Sequence, residues 1–148
     1  MSEGVRVQAS RDIRRAAAEI HDLLSDLTRH WPLLGADLLE ADIVDGSEHQ
    51  SARLLLRGPI PGIEREITTQ VTHDHPPERF GGVAEAGRTR ARIDWHLHQN
   101  GDDFTTVRFG AEIFPGGRRD RLLVTMAKPW LQLRCRQVLE RLEAELAR

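Results

Sequence analysis

From Leu39 to Ile113 the apolar residues of this chain recur at every second position, and on either side of that block they recur every third or fourth. A strand shows alternate residues to opposite faces, whereas a helix returns to one face after about 3.6 residues. The pattern predicts a strand, two helices, six strands and a long closing helix, an α+β order in which the sheet keeps one apolar face.

Within the block, Leu39, Ala41 and Ile43 precede the turn residues Asp45-Gly46, and Leu54 and Leu56 precede Gly58-Pro59-Ile60-Pro61-Gly62. Residues 63–73 set Ile63, Ile67 and Val71 on one face against Glu64, Glu66, Thr68, Gln70 and Thr72 on the other. Pro76-Pro77 ends that strand, and a short strand over 80–86 follows. Ile93, Trp95 and Leu97 then alternate up to Asn100-Gly101, a strong hairpin signal, after which Val107, Phe109, Ala111 and Ile113 form the partner strand.

Ahead of the block, Val5, Val7 and Ala9 read as a short strand. Asp12 stands in N-cap position for a helix with Ile13, Ala16, Ala17, Ile20, Leu23 and Leu24 on one face, and His21 and His30 are expected at its polar edge. Proline disfavours helical backbone in the residue before it. Trp31 is therefore expected to leave the helix, with Pro32 opening a second, short one that Gly35 ends. From Asp120 onward Leu123, Ala127, Leu131, Cys135, Val138 and Leu142 share a helical face, which Pro129 is expected to kink.

Composition narrows the function classes. With 148 residues, net charge −2 and 39% hydrophobic residues, the chain suits a single domain, 1–148, that buries its core without disulfides or metals. Residues 108–148 hold nine Arg/Lys against five Asp/Glu, too small an excess to mark a nucleic-acid surface without stacking aromatics. The single cysteine, Cys135, cannot close an intrachain disulfide, and from residues 1–15 no secretory leader, and from the hydropathy no membrane-spanning run, is expected. A cytoplasmic protein with no integral membrane association is expected.

The segments ASRDIRRAAAEIHDLLSDLTRHWPLL, DHPPERF and WLQLRCRQVLERLEAEL, in this order of elements, resemble the helix-grip fold of the START-related superfamily, and in particular its bacterial polyketide-cyclase-like members. The resemblance covers essentially the whole chain. It implies a seven-stranded antiparallel sheet curved around the last helix, two short helices after the first strand, and an elongated cavity between sheet and long helix. Carriers, sensors and enzymes share that scaffold, so the activity has to be argued from side chains.

If Ile63, Ile67 and Val71 face the cavity, strict alternation puts Arg65, Thr69 and His73 on the same face. Arg134 falls inside the apolar stripe of the last helix, where a charge must be paired or face a ligand. The functional reading makes these residues polar fixtures in an apolar pocket. The bland alternative has Arg65 and Arg134 in salt bridges near the rim, for instance with Glu85, and His73 at an open strand end. The loop Gly58, Pro59, Ile60, Pro61 and Gly62 looks like the gate loop of the plant hormone receptors in that superfamily, and reads equally well as an ordinary strand connection with a proline-rich turn. His73-Asp74-His75 and His96-Leu97-His98 have same-face spacing, but they lie on non-neighbouring strands, and His96 and His98 share a face with Arg92 and Asp94, opposite Trp95. No metal site or cofactor is expected.

The leading expectation is a binder of a hydrophobic or aromatic small molecule. Trp31, Trp95, Phe109, Leu131 and Val138 would form the apolar wall, Arg65, Thr69, His73 and Arg134 the polar contacts, and 58–62 the lid. The alternative is a polyketide cyclase or dehydratase, with His73 as general acid/base and Arg65 or Arg134 stabilising an oxyanion. A third is an interaction module whose cavity is filled by its own side chains. The chain is expected to be a monomer or homodimer.

Overall fold

The computed structural model describes residues 4–33, 37–45, 50–57 and 64–148. Their elements run β1 (Val5–Ile13), α1 (Ala17–Ser25), α2 (Leu27–Leu33), β2 (Asp37–Asp45), β3 (Gln50–Arg57), β4 (Glu64–His75), β5 (Arg79–Ala86), β6 (Thr89–Gly101), β7 (Phe104–Phe114) and α3 (Arg118–Leu146). This is the order the periodicity predicts. The strands form one seven-stranded sheet, β1-β7-β6-β5-β4-β3-β2, in which every pairing is antiparallel. No helix among the described residues is long and apolar enough to cross a membrane.

The register defines rows across the inner face. Trp95 pairs with Phe109 and Phe80; Ile93 with Ala111 and Gly82; Ala91 with Ile113 and Ala84. Helix α3 lies against β1 and β7, and α1 against β5 and β6. Burial is graded along the sheet in consequence. Ile13, Leu97, Val107, Trp95, Phe109 and Phe80 are sealed at the α1 end, in one cluster with Ile20, Leu24, Val138, Leu139 and Leu142. Ile93 and Ala111, then Ala91 and Ile113, are only half-buried toward the other end.

Two ties hold α3 to the edge strand. Gln132 spans the free edge at Gln8, its amide N–H donating to the Gln8 carbonyl while its oxygen accepts from the Gln8 N–H. Arg11 meets Glu143 at 2.9 Å. At Gln8 the edge strand's outward backbone groups are thereby satisfied from within the chain.

Several local expectations are corrected. Asp12 does not cap a helix: β1 continues to Ile13, and the Asp12 carboxylate accepts from the Thr106 hydroxyl at 2.7 Å across the β1–β7 pair. Helix α1 starts after Ala16 with no side-chain cap. The elbow between the short helices falls at Asp26 and not at Trp31-Pro32, both of which lie inside α2. Asp26 has extended backbone, and its carbonyl accepts from the Arg29 and His30 amides at 3.0 and 2.9 Å, as an N-cap residue's does. Gly35, the expected stop of α2, lies outside the described residues. The β6–β7 turn comes two residues late, at Asp102–Asp103, with a register irregularity at Asn100. Helix α3 is one continuous element, Arg118–Leu146, with Pro129 inside it.

A second irregularity changes the inner face itself. Val71 pairs with Gly82, but His73 pairs with Gly81 and Asp74 with Phe80, so an extra residue, Thr72, sits in β4. Beyond a bulge the alternation changes face. The row that runs through Phe80, Trp95 and Phe109 is therefore met by Asp74 and not by His73. Gly82 is required at this close approach, since a Cβ there would run into the Gln70 carbonyl.

Candidate functional site

The inner face begins with an aromatic floor. Trp95 and Phe109 have ring centroids 4.5 Å apart, and His30 approaches Trp95 at 5.7 Å and Phe80 at 5.8 Å. His30 is 4% exposed, which corrects its expected place at a polar helix edge. Its Nδ1–H donates to the Leu24 carbonyl at 2.9 Å, an arrangement that leaves Nε2 as the acceptor of a neutral ring. Burial lowers its pKa to about 4, opposed only in part by that bond. A recess of about 20 Å³, bordered by His30, Thr69, Val71, Phe80 and Ile93, has room for a water and no more. Anything larger must occupy the space between the half-exposed rows and α3.

His21 is buried as well, again against expectation. Its Nε2 lies 2.5 Å from the Asp74 carboxylate, and its ring meets Phe80 edge-on at 5.8 Å. This pair joins α1 to the last turn of β4. A signal for His21 exists in the sequence, because Ala17, Ile20, His21 and Leu24 follow the i, i+3, i+4, i+7 spacing of one helical face. Asp74 gives no such signal, since its inward position depends on the bulge at Thr72. The burial of His30 depends on how α2 folds back over the sheet.

The predicted residues divide into three groups. Trp95, Phe109 and Val138 are brought together in the buried cluster, with Leu131 half-buried beside it. Thr69 is half-buried on the inner face, and its hydroxyl donates to the Val83 carbonyl at 3.1 Å. Arg134 stacks on Trp130 at 4.9 Å and reaches Gln137 at 3.5 Å, while its buried Nε has no hydrogen-bond partner among the described residues. The suggested bridge from Arg134 to Glu85 does not form, because Glu85 pairs with Arg90 at 3.0 Å. The side chains of Trp31, Arg65 and His73, and the whole lid Gly58, Pro59, Ile60, Pro61 and Gly62, lie outside the described residues.

Trp95 has an indole N–H that is fully buried and without an acceptor among the described residues. A dry donor of this kind costs about 1–3 kcal/mol when nothing accepts from it. Cys135 offers no nucleophile, since burial pushes its thiol up to about 11. A wider cleft, about 670 Å³, is bordered by outer-face residues such as Arg6, Asp94 and His96 and also by Ala111 and by Lys128 and Gln132 of α3. Arg6 is bridged to Glu112 there, and His96 and His98 are exposed on the sheet as expected.

Residues 4–147 match the family model for polyketide cyclase / dehydrase and lipid transport. No curated protein matches the sequence. Among solved structures, the chain is similar to a START superfamily protein from Mycobacterium smegmatis, with 13% identity, TM-score 0.72, and 96% and 97% of the two chains covered. It is also similar to the Zhui aromatase/cyclase from Streptomyces sp. R1128, with 12% identity, TM-score 0.69, and 93% of each chain covered. A STAR-related lipid transfer protein from Xanthomonas axonopodis has 17% identity and TM-score 0.71, covering 95% of this chain and 85% of that one. At these identities the likeness speaks for the fold alone.

Proposed function

Because the chain belongs to the polyketide cyclase / dehydrase and lipid transport family, we propose that it binds and carries a hydrophobic or aromatic small molecule between the inner face of its sheet and α3. One observation carries this reading. The apolar rows of Ile93, Ala111, Ala91 and Ile113 are left half-buried while the rows next to them are sealed. Apolar surface gains about 25 cal/mol for each Å² removed from water, so an apolar guest lying on those rows would be stabilised there. Trp95 and Phe109 supply its aromatic floor and Leu131 and Val138 its wall. Arg134, with Thr69 and Arg65, gives polar contacts near the open end, and 58–62 stands as the lid. Asp74 and His21 add a polar pair beside the floor. The single buried thiol suits carriage inside the cell, in a reducing compartment.

Native mass spectrometry of protein purified without organic solvent tests the reading. The expected result is a stoichiometric adduct, released on denaturation as an aromatic or acyl compound. Protein that is empty and also fails to bind a hydrophobic fluorophore overturns it.

A cyclase or dehydratase is the second reading, and the His21–Asp74 contact favours it. A carboxylate that holds an imidazole in place is a common way to set up general acid/base catalysis. Turnover of a poly-β-ketone that falls in kcat, with binding intact, when His21→Gln is introduced would decide for this reading.

A further inference from the structure

The first half of α3 is apolar on the side where the core is not. Leu122, Met126 and Leu133 are 61%, 71% and 50% exposed, and Leu123 and Trp130 stand beside them at 57% and 45%. At 3.6 residues per turn, Leu122, Met126 and Leu133 project about 180° from the stripe of Cys135, Val138 and Leu142 that enters the core. They cannot be cavity wall, whatever closes the mouth. From Arg118 to Arg136 the helix also carries Arg118, Arg119, Arg121, Lys128, Arg134 and Arg136 against Asp120 alone. Arg118 and Arg136 fall on one margin of the apolar face.

We propose that this face docks the protein onto an anionic lipid surface. Leucine and methionine side chains can enter the boundary between headgroups and acyl chains, where Trp130 at the same level is well suited by its apolar body and polar N–H. The flanking arginines would then meet lipid phosphates, an attraction that salt screens. A second copy of the chain fits less well, since self-pairing would bring two like-charged margins together. A nucleic acid would set phosphates against the leucines at the centre of the face.

Co-sedimentation with vesicles tests the proposal and needs no cavity ligand. Apo protein should pellet with equimolar phosphatidylcholine and phosphatidylglycerol, stay in solution with phosphatidylcholine alone, and be released by high salt. Leu122→Glu and Met126→Glu should each weaken the partition about tenfold or more at an unchanged thermal midpoint, because both positions are solvent-exposed. Wild-type protein that ignores anionic vesicles, or variants that bind as well as wild type, would overturn it. So would a dimer in sedimentation velocity that Met126→Glu dissociates, which would assign the face to a second copy, or binding confined to an acidic protein.

Discussion

His30 is held in a place where its charged form cannot be solvated. In the unfolded chain its imidazole takes up a proton near the ordinary value of 6.5, whereas in the folded protein it does so only near 4. Between those values the unfolded state binds more protons than the folded one, so stability must fall as pH drops through that window and level off below it. Neutral pH is above the window and the penalty is absent there. By pH 5 the loss attributable to this group should be about 2 kcal/mol. Urea denaturation of wild type and His30→Phe at pH 7.5 and pH 5 measures it: the substituted protein should lose distinctly less stability on acidification. Equal losses in both proteins would mean that His30 is solvated in the folded state. The neutral ring has a functional side too, since an uncharged imidazole beside Trp95 and Phe80 leaves the floor of the site apolar for a guest.

At the scale of elements, α3 performs two different tasks on either side of Pro129. Its second half buries Cys135, Val138, Leu139 and Leu142, while its first half leaves Leu122, Leu123 and Met126 in water. Truncation should therefore have opposite consequences in the two halves. Leu142→Ala removes fully buried methyl groups and should cost about 2–5 kcal/mol, whereas Leu123→Ala should cost less than about 1 kcal/mol. Chemical denaturation of the two variants separates them, and a large loss at Leu123 would show that the first half is packed. Reading the sequence succeeds where an element's own periodicity decides its structure, as in α3 and in β6. It fails where a distant partner decides. Asp12 has the chemistry of a cap, yet Thr106 on β7 draws it into the sheet. Asp26 is equally apt as a cap and does begin α2, five residues before the elbow that Trp31-Pro32 suggests. The bulge at Thr72 leaves no trace in a pattern that alternates cleanly through it, and it determines which side chain of β4 reaches the aromatic floor.

Across the whole molecule, the helices cover the inner face of the sheet unevenly. The α1 end is closed by large side chains, and the far end presents alanines where the same strands could have carried leucines. Small residues at Gly81, Gly82, Ala84, Ala86 and Ala111 are legible in the sequence as a hint of open space, whereas the coverage of the sheet depends on α3 lying against β1 and β7. If that space is for a guest, filling it should exclude the guest without harming the fold. Ala91 is half-buried, paired with Ala84 and Ile113. A phenylalanine there can lie along the neighbouring alanine, so Ala91→Phe should leave the thermal midpoint within about 4 °C of wild type, the shift expected for a change of under 1 kcal/mol, and lower the affinity for a hydrophobic fluorophore about tenfold or more. Gly82→Ala makes the complementary case. Its added methyl group meets the Gln70 carbonyl on the neighbouring strand, so it should destabilise the β4–β5 pairing while adding almost no bulk to the guest's space. Fluorophore titrations and thermal melts on both variants distinguish the possibilities. Loss of binding at an unchanged midpoint in Ala91→Phe places the guest on these rows, and retained binding together with a lowered midpoint would mean that the protein's own side chains already fill them.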